Sequence, residues 1–256
     1  MNYYKNIFSL KGKLVYVIGG SGLIGKETID CLKIYKAKVI NLDIKTLKGK
    51  YINEYFNITD DFNLEKKFLA IVKKHGIPDI FINCSYPRNK DWNKNTFSDI
   101  TKNYLNLNIK NQLNSGVLIS VMVANLMKNK KKQGSIIFLG SIYGVVGQDL
   151  NIYKGTGIRE NLSYSIIKGG LVNFTKQMAS YYGKHNIRVN CICPGGIIDK
   201  VNSKNKKFLN NYSRKVPLKR LAKSKEISSA ILFFSSNASS YITGHTMMVD
   251  GGWTCI

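Results

Sequence analysis

The stretch YVIGGSGLIGKE, residues 16–27, places Gly19, Gly20, Gly22 and Gly25 between an apolar run and a segment with helical spacing. Gly20-x-Gly22-x-x-Gly25 fits the GxGxxG pattern in the strand-then-helix setting that gives it meaning. Residues without a Cβ let the chain turn tightly and approach a pyrophosphate, which then sits against the positive N-terminus of the helix. Gly19, Gly20, Ser21, Gly22, Leu23, Ile24 and Gly25 are therefore candidates for holding a dinucleotide. Asp43 lies 18 residues beyond Gly25 and closes a second apolar run, VINLD. A carboxylate there would accept the ribose hydroxyls of NAD and repel the extra phosphate of NADP. Asp43 could also be an ordinary turn residue at a strand end, and Lys26 and Lys45 weaken the preference for NAD without reversing it.

Outward from this loop, strand-like and helical patterns alternate. Residues 13–18, 38–42, 78–83, 134–140, 187–193 and 245–250 read as strands, and 24–35, 62–75, 100–127, 162–183 and 225–235 as helices. Such alternation argues for an α/β fold, a Rossmann-type doubly wound parallel sheet of about seven strands with helices on both faces. Neither a repeat nor a linker interrupts it, so residues 1–256 are expected to form a single dinucleotide-binding and catalytic domain. The polar, lysine-rich segment 198–217 reads as an excursion that covers the substrate.

A chain of 256 residues has ample length for one large core. The N-terminus lacks a signal pattern, and no apolar run reaches the ~18 residues that span a membrane. Five cysteines, an odd number without metal-ligand spacing, read as reduced thiols. His75, His185 and His245 are scattered, so no metal site is expected, and a cytoplasmic location is. Cys191 and Cys193 alternate on one strand and should pack as small apolar residues. The net charge of +24 would suit a nucleic-acid partner, but the lysines are spread along the chain and only KNKKK, residues 128–132, is a dense run. Abundant Asn, Ile and Tyr point instead to the residue bias of an AT-rich genome. The expected consequence is a positive field that draws in anionic small molecules, with no nucleic acid and no membrane as partner.

The segment NLSYSIIKGG, residues 161–170, sets Tyr164 four positions before Lys168, on one helix face. An ammonium about 4 Å from the phenol, at an effective dielectric near 20, is worth roughly 4 kcal/mol. That would bring a phenol that ordinarily titrates near 10 down by about three pH units, into the range where it can exchange protons at neutrality. Alone, the pair is also what any helix with one aromatic and one solvated lysine would show.

With the glycine loop and this pair in one chain, the sequence resembles the short-chain dehydrogenase/reductase family from about Phe8 to Trp253. GIPDIFINCS resembles the family's fourth-strand motif, placing Asn83, Cys84 and Ser85 beside the cofactor. LNLNIKNQL resembles the helix with the catalytic asparagine, at Asn108, and GSIIFLGSIYG the strand end with the catalytic serine, at Ser141. NIRVNCICPGG resembles the Pro-Gly segment next to the nicotinamide, at Pro194, Gly195 and Ile197, while Asn57 and Ile58 fall near the adenine. YITGHTMMVDGGWT resembles the family's C-terminal signature. The resemblance implies that Tyr164 exchanges a proton with the substrate oxygen as hydride moves to or from the nicotinamide. Lys168 would lower the tyrosine pKa and bind the ribose, Ser141 would hold the substrate oxygen, and Asn108 would hold a water that relays protons to Lys168. It also implies a homotetramer or homodimer. Ile18 replaces the usual threonine, Asn57 replaces an aspartate, and the spacing Gly19-x-x-Gly22-x-x-Gly25, with Leu23 in the usual middle-glycine position, resembles the family's extended branch. Length and the remaining motifs resemble the classical one.

Two loops bear on the substrate. SYPRNKDW follows the fourth strand and carries Arg88, Lys90 and Trp92; a long segment that puts Tyr164 23 positions after Ser141 carries Tyr143 and Arg159. Few of these residues are greasy, and arginine suits carboxylate or phosphate. The expectation is an NAD-dependent oxidoreductase for a polar, anionic hydroxy or keto substrate such as a sugar derivative, unless the charges are merely solvated surface. YPRNKDW and GSIYGVVGQD further resemble a subgroup tied to flagellin modification and nonulosonic-acid (surface-glycan) biosynthesis. The rival within the family is an NADPH-dependent 3-ketoacyl-carrier-protein reductase, whose basic surface would dock an acidic carrier protein. From another class, a non-catalytic dinucleotide- or nucleic-acid-binding protein would show a steep salt slope with DNA.

Overall fold

The computed structural model describes residues 2–60 and 62–256. Seven strands, β1 Leu14–Ile18, β2 Lys38–Asp43, β3 Ile52–Tyr55, β4 Ile80–Asn83, β5 Gly134–Leu139, β6 Ile187–Pro194 and β7 Thr246–Val249, form one sheet in the order β3-β2-β1-β4-β5-β6-β7. Every pairing is parallel. The order reverses between β1 and β4, where a doubly wound sheet opens its crevice.

Strand side chains alternate between faces, and here both faces are apolar. Val15, Val17, Ile80, Ile82, Ile137 and Ile192 look toward α2 (Leu23–Ile34) and α8 (Ser224–Ser235). Tyr16, Ile18, Phe81, Ile136 and Phe138 look toward α3 (Leu64–His75), α5 (Ser115–Asn129) and α6 (Leu162–Tyr182). Continuous apolar runs such as IFIN in β4 are what a strand buried on both faces requires. A five-residue helix, α1 (Asn2–Asn6), precedes β1.

The segments named from the sequence as strands and helices form such elements, with four differences. β3 is an additional strand: INEY lies at the sheet edge with exposed or half-exposed side chains, so its sequence lacks an apolar run. The helix expected over 100–127 is α4 (Lys102–Asn108), a wide π-helical turn Ile109–Asn114, and then α5. Phe62, expected to begin a helix, is exposed and lies before α3. The segment 198–217 contains α7 (Lys206–Lys215), whose Phe208 and Tyr212, one turn apart, are buried.

Phe208 and Tyr212 join Ile142, Ile152, Val216, Leu221 and Trp253 in a third apolar cluster over the C-terminal strand ends. The long loop before Tyr164 is clasped to α7: Lys215 pairs with Asp149 at 2.7 Å, Asn205 Nδ2 donates to the Thr156 carbonyl at 2.9 Å, and Tyr153 stacks on Phe208. Loop and excursion together roof the crevice.

On the opposite side of the core, Phe68 is fully buried and meets Tyr16, Phe56 and Phe81 edge-on at 5.9–6.4 Å. Phe68→Ala should lower the unfolding free energy by about 3–5 kcal/mol, read by urea denaturation; a loss below about 1 kcal/mol would show that this aromatic contact does not anchor α3.

Candidate active site

The glycine loop owes its shape to what a Cβ would strike. Gly19 has φ +71° and lies against Ser85, whose backbone nitrogen and Cα are 2.8 Å from where a Cβ would be. A Cβ on Gly25 would run into the Gly19 carbonyl and come within 2.6 Å of Gly20 Cα, so α2 can rest on β1 only without one. Gly22 caps α2 without a side-chain hydrogen bond, which leaves the first-turn N–H groups for an anion. Asp43 ties the loop down: its Oδ2 accepts from Ser21 N and its Oδ1 from Lys45 N, both at 2.9 Å.

This loop lines a cavity of ≈ 570 Å³ together with Asp43, Asn57 and Ile58 at one end and Cys84, Ser85, Arg88 and Ile197 at the other. The uncapped helix start, the cradle at Gly19 and Gly25 and the carboxylate at the second strand end fit a dinucleotide. Asn57 turns its own loop by accepting from Thr59 N and Thr59 Oγ1. Asn83 is buried under the cavity, where its Oδ1 accepts from Ser85 N and Ser85 Oγ and fixes the next turn.

A second cavity of ≈ 330 Å³ adjoins the first and holds Ser141, Tyr164, Lys168, Pro194 and Gly195. Parallel β5 and β6 deliver Ser141 and Pro194 to the same edge, and α6 brings Tyr164 and Lys168 one turn apart. Lys168 is buried and its Nζ donates to the Leu139 carbonyl at 2.7 Å. The ammonium is 5.7 Å from the ring centroids of both Tyr86 and Tyr164. Tyr164 is edge-on to Tyr86, Trp92 and Tyr143.

The pKa shifts run against the expectation drawn from the Tyr–Lys spacing. Burial pushes the Tyr164 phenol up to about 12, and hydrogen bonding with Ser141 only partly opposes this. Burial likewise pulls the Lys168 ammonium below its ordinary value, while the Cys191, Cys193 and Cys84 thiols pull it back. Helical i, i+4 spacing puts the two residues on one face, but Lys168 directs its charge to a backbone carbonyl, so desolvation outweighs ion–phenol attraction. Cys191 and Cys193 are fully buried with their sulfurs 3.9 Å apart, packed as expected.

Asn108 is buried and both polar atoms of its side chain are engaged elsewhere: Nδ2 donates to Asn95 Oδ1 and the Tyr104 carbonyl, and Oδ1 accepts from Asn89 Nδ2. It secures the loop after β4, and its amide makes no hydrogen bond to Lys168. The expected cationic substrate wall is also redrawn. Arg159 stands outside both cavities, half-exposed, and pairs with Asp99 at 2.6 Å. Lys90 is exposed and lines neither cavity. Arg88 faces the larger cavity over the Tyr86 ring, and Trp92 backs Tyr86 and Tyr164 from behind. Tyr143 does line the smaller cavity, with its hydroxyl 3.4 Å from that of Tyr153. Tyr86, Tyr153, Phe208, Tyr212 and Asp199 complete a lining that sequence reasoning did not assign. The i, i+4 pair Phe208 and Tyr212 was the one available signal for an inward helix face. Tyr212 reaches across to accept a hydrogen bond from Gly196 N. Among the described residues no helix is long and apolar enough to cross a membrane, and no cluster could hold a metal ion.

A family model described as enoyl-(acyl carrier protein) reductase matches residues 39–254. Post-translational flagellin modification protein A of Campylobacter coli is 30% identical over 95% of this chain and 99% of its own. A ribulose-forming D-arabinitol 2-dehydrogenase of Candida albicans is 30% identical over 98% and 97%, and a 3-oxoacyl-(acyl-carrier-protein) reductase of Vibrio cholerae 30% over 95% and 98%. The crystal structure of a short-chain dehydrogenase from Leptospira borgpetersenii with bound NAD+ superposes with a TM-score of 0.86 at 34% identity, covering 96% of this chain and 94% of that one.

The raised Tyr164 pKa has a direct readout. A phenol held neutral by the fold contributes stability below its unfolded pKa of 10.0 and loses it as the pH rises through about 12. Ultraviolet difference titration of the nucleotide-free protein against Tyr164→Phe should show no tyrosinate from this residue at pH 10; a midpoint at or below 10.0 would mean that Lys168 outweighs burial after all.

Proposed function

The chain belongs to the short-chain dehydrogenase/reductase family and is an oxidoreductase of that type; on that premise we propose that it is NAD-dependent and acts on a hydroxyl or carbonyl carbon of a sugar derivative. The observation that carries this reading is the convergence of Ser141, Tyr164 and Lys168 in a cavity that shares a wall with the glycine-loop cavity. The nicotinamide, when bound, supplies the acceptor or donor of hydride. In the oxidative direction Tyr164, as its phenolate, would take the proton of the substrate hydroxyl while the substrate carbon gives up hydride; in reduction the neutral phenol would return that proton to the substrate oxygen as hydride arrives at the carbon. Ser141 would hold the substrate oxygen where charge develops. Lys168, with its Nζ 5.7 Å from the Tyr164 ring centroid, would favour the phenolate when it carries its proton, against the burial that disfavours it. Asn108 supports the site through the loop it secures, since its amide is already engaged.

Five tyrosines line the smaller cavity, whereas Lys168 is the one cation among its described lining residues. Rings that carry hydroxyls suit the alternating C–H and O–H faces of a polyol better than an acyl chain, and an anionic substituent would lie at the mouth near Arg88. The flagellin-modification and arabinitol relatives favour this substrate class and a place in surface-glycan or flagellin-modification biosynthesis. The acyl-carrier-protein relative keeps the rival alive. Asp43 at the loop and the NAD+ of the Leptospira structure favour NAD over NADP.

Turnover with NAD and NADP on sugars, sugar phosphates, nucleotide sugars and ketoacyl thioesters separates these readings. Sugar-derivative turnover with NAD is expected, and Tyr164→Phe should reduce kcat by roughly 10²–10⁴-fold with little change in nucleotide affinity. Turnover confined to ketoacyl thioesters with NADPH would overturn the proposal.

A further inference from the structure

We infer that Asp199 is the group by which this protein tells the oxidised from the reduced nicotinamide cofactor, an inference that rests on the oxidoreductase reading above. The two cavities share a wall formed by Leu23, Ile24, Cys84, Ser85, Tyr86, Ile197 and Asp199. Burial pushes the Cys84 thiol up to about 12 and keeps it neutral. Among the described residues of this wall, Asp199 is the one carboxylate, and none is lysine, arginine or histidine. A dinucleotide that starts at Asp43 and brings its ring to Tyr164 has to pass this wall.

The carboxylate is half committed. Its Oδ1 accepts from Val201 N and Asn202 N, both at 2.7 Å, and shapes the turn after β6. Oδ2 has no hydrogen-bond or ion-pair partner among the described residues. The chain has 39 basic and 15 acidic residues, and no lysine or arginine takes up this carboxylate oxygen among the described residues. Asp30, Asp60, Asp79, Asp149 and Glu226 are each paired with lysine or arginine.

The oxidised nicotinamide ring is a cation and the reduced ring is neutral; the rest of the dinucleotide is the same. Repulsion between Asp199 and the pyrophosphate therefore enters both affinities equally and cancels in their ratio. What survives is attraction between the carboxylate and the ring charge, which is strong in a partly buried site of low effective dielectric. Lys168, whose Nζ is turned to the Leu139 carbonyl, acts in the other direction, but it is the same in wild type and in both variants and so cancels from the comparison between them. The expected preference for the oxidised form from Asp199 is about tenfold, equivalent to about 1.4 kcal/mol. For a two-electron couple that lowers the potential of the bound cofactor by about 30 mV and makes the bound reduced form the stronger hydride donor.

The test is the ratio of dissociation constants for NAD+ and NADH, measured by calorimetric titration of the wild type, Asp199→Asn and Asp199→Glu. The same ratio is read on NADP+ and NADPH if the wild type prefers them. Asparagine keeps the acceptor that holds the turn and removes the charge; glutamate keeps the charge and gives up the turn geometry. The charge role requires Kd(NAD+)/Kd(NADH) to rise about tenfold in Asp199→Asn and to stay within about threefold of wild type in Asp199→Glu. A purely structural role requires the opposite, with Asn unchanged and Glu weakened for both forms alike, and that result overturns the inference while leaving the cofactor reading intact. A wild type that binds neither form of either nucleotide overturns the proposed function and this inference together.

Discussion

The missing Cβ at Gly25 is the constraint on which the rest of this molecule depends. Without it α2 rests directly on the backbone of Gly19 and Gly20, so the helix starts within reach of the strand end and its uncapped N–H groups open on the crevice. That closeness also lets β4 approach β1, because Gly19 in its left-handed conformation clears the backbone of Ser85. Asn41 completes the arrangement from below: its Nδ2 bridges Ser21 Oγ and Asn53 Oδ1, linking the loop to both β2 and β3. A larger residue at Gly25 would push α2 outward and separate the parts that together make a dinucleotide cradle.

The cavity that holds Ser141, Tyr164 and Lys168 is positioned by a different device, a roof assembled from two segments far apart in sequence. Neither the loop that carries Asp149 and Tyr153 nor helix α7 has an apolar core of its own. Each becomes ordered by burying aromatics against the other and against Trp253, with Lys215–Asp149 as an ionic fastening. The aromatic wall around Tyr164 follows from this packing. Its tyrosines line a space that holds Lys168 as the one cation among its described lining residues, although the chain carries a net charge of +24. The basic excess therefore lies mainly outside this cavity.

Burial explains why the spacing of Tyr164 and Lys168 misleads if read by Coulomb's law alone. Putting an ammonium and a phenol on one helix face fixes their proximity but not their solvation. In the folded chain both are removed from water, and desolvation favours the neutral form of each.

The sequence by itself determined the sheet, the helices on its faces and the glycine cradle, and it singled out Ser141, Tyr164 and Lys168, which the fold brings into one cavity. These are local or periodic: a strand buried on both faces has to be an apolar run, and a glycine forced by backbone contact leaves a visible gap in the side-chain pattern. Strand β3 escaped because an edge strand needs no such run. The tertiary structure alone decided what surrounds the reacting groups. Arg159 looked like an anion ligand in the sequence and is held by Asp99 instead; Asn108 looked like part of a relay and is tied to Asn95. Tyr153 and Asp199 carry no signature of the pocket they line. Which face of a loop looks inward depends on the segment packed against it. That partner can lie some 60 residues away, as Asp149 and Lys215 do, and no local pattern encodes it.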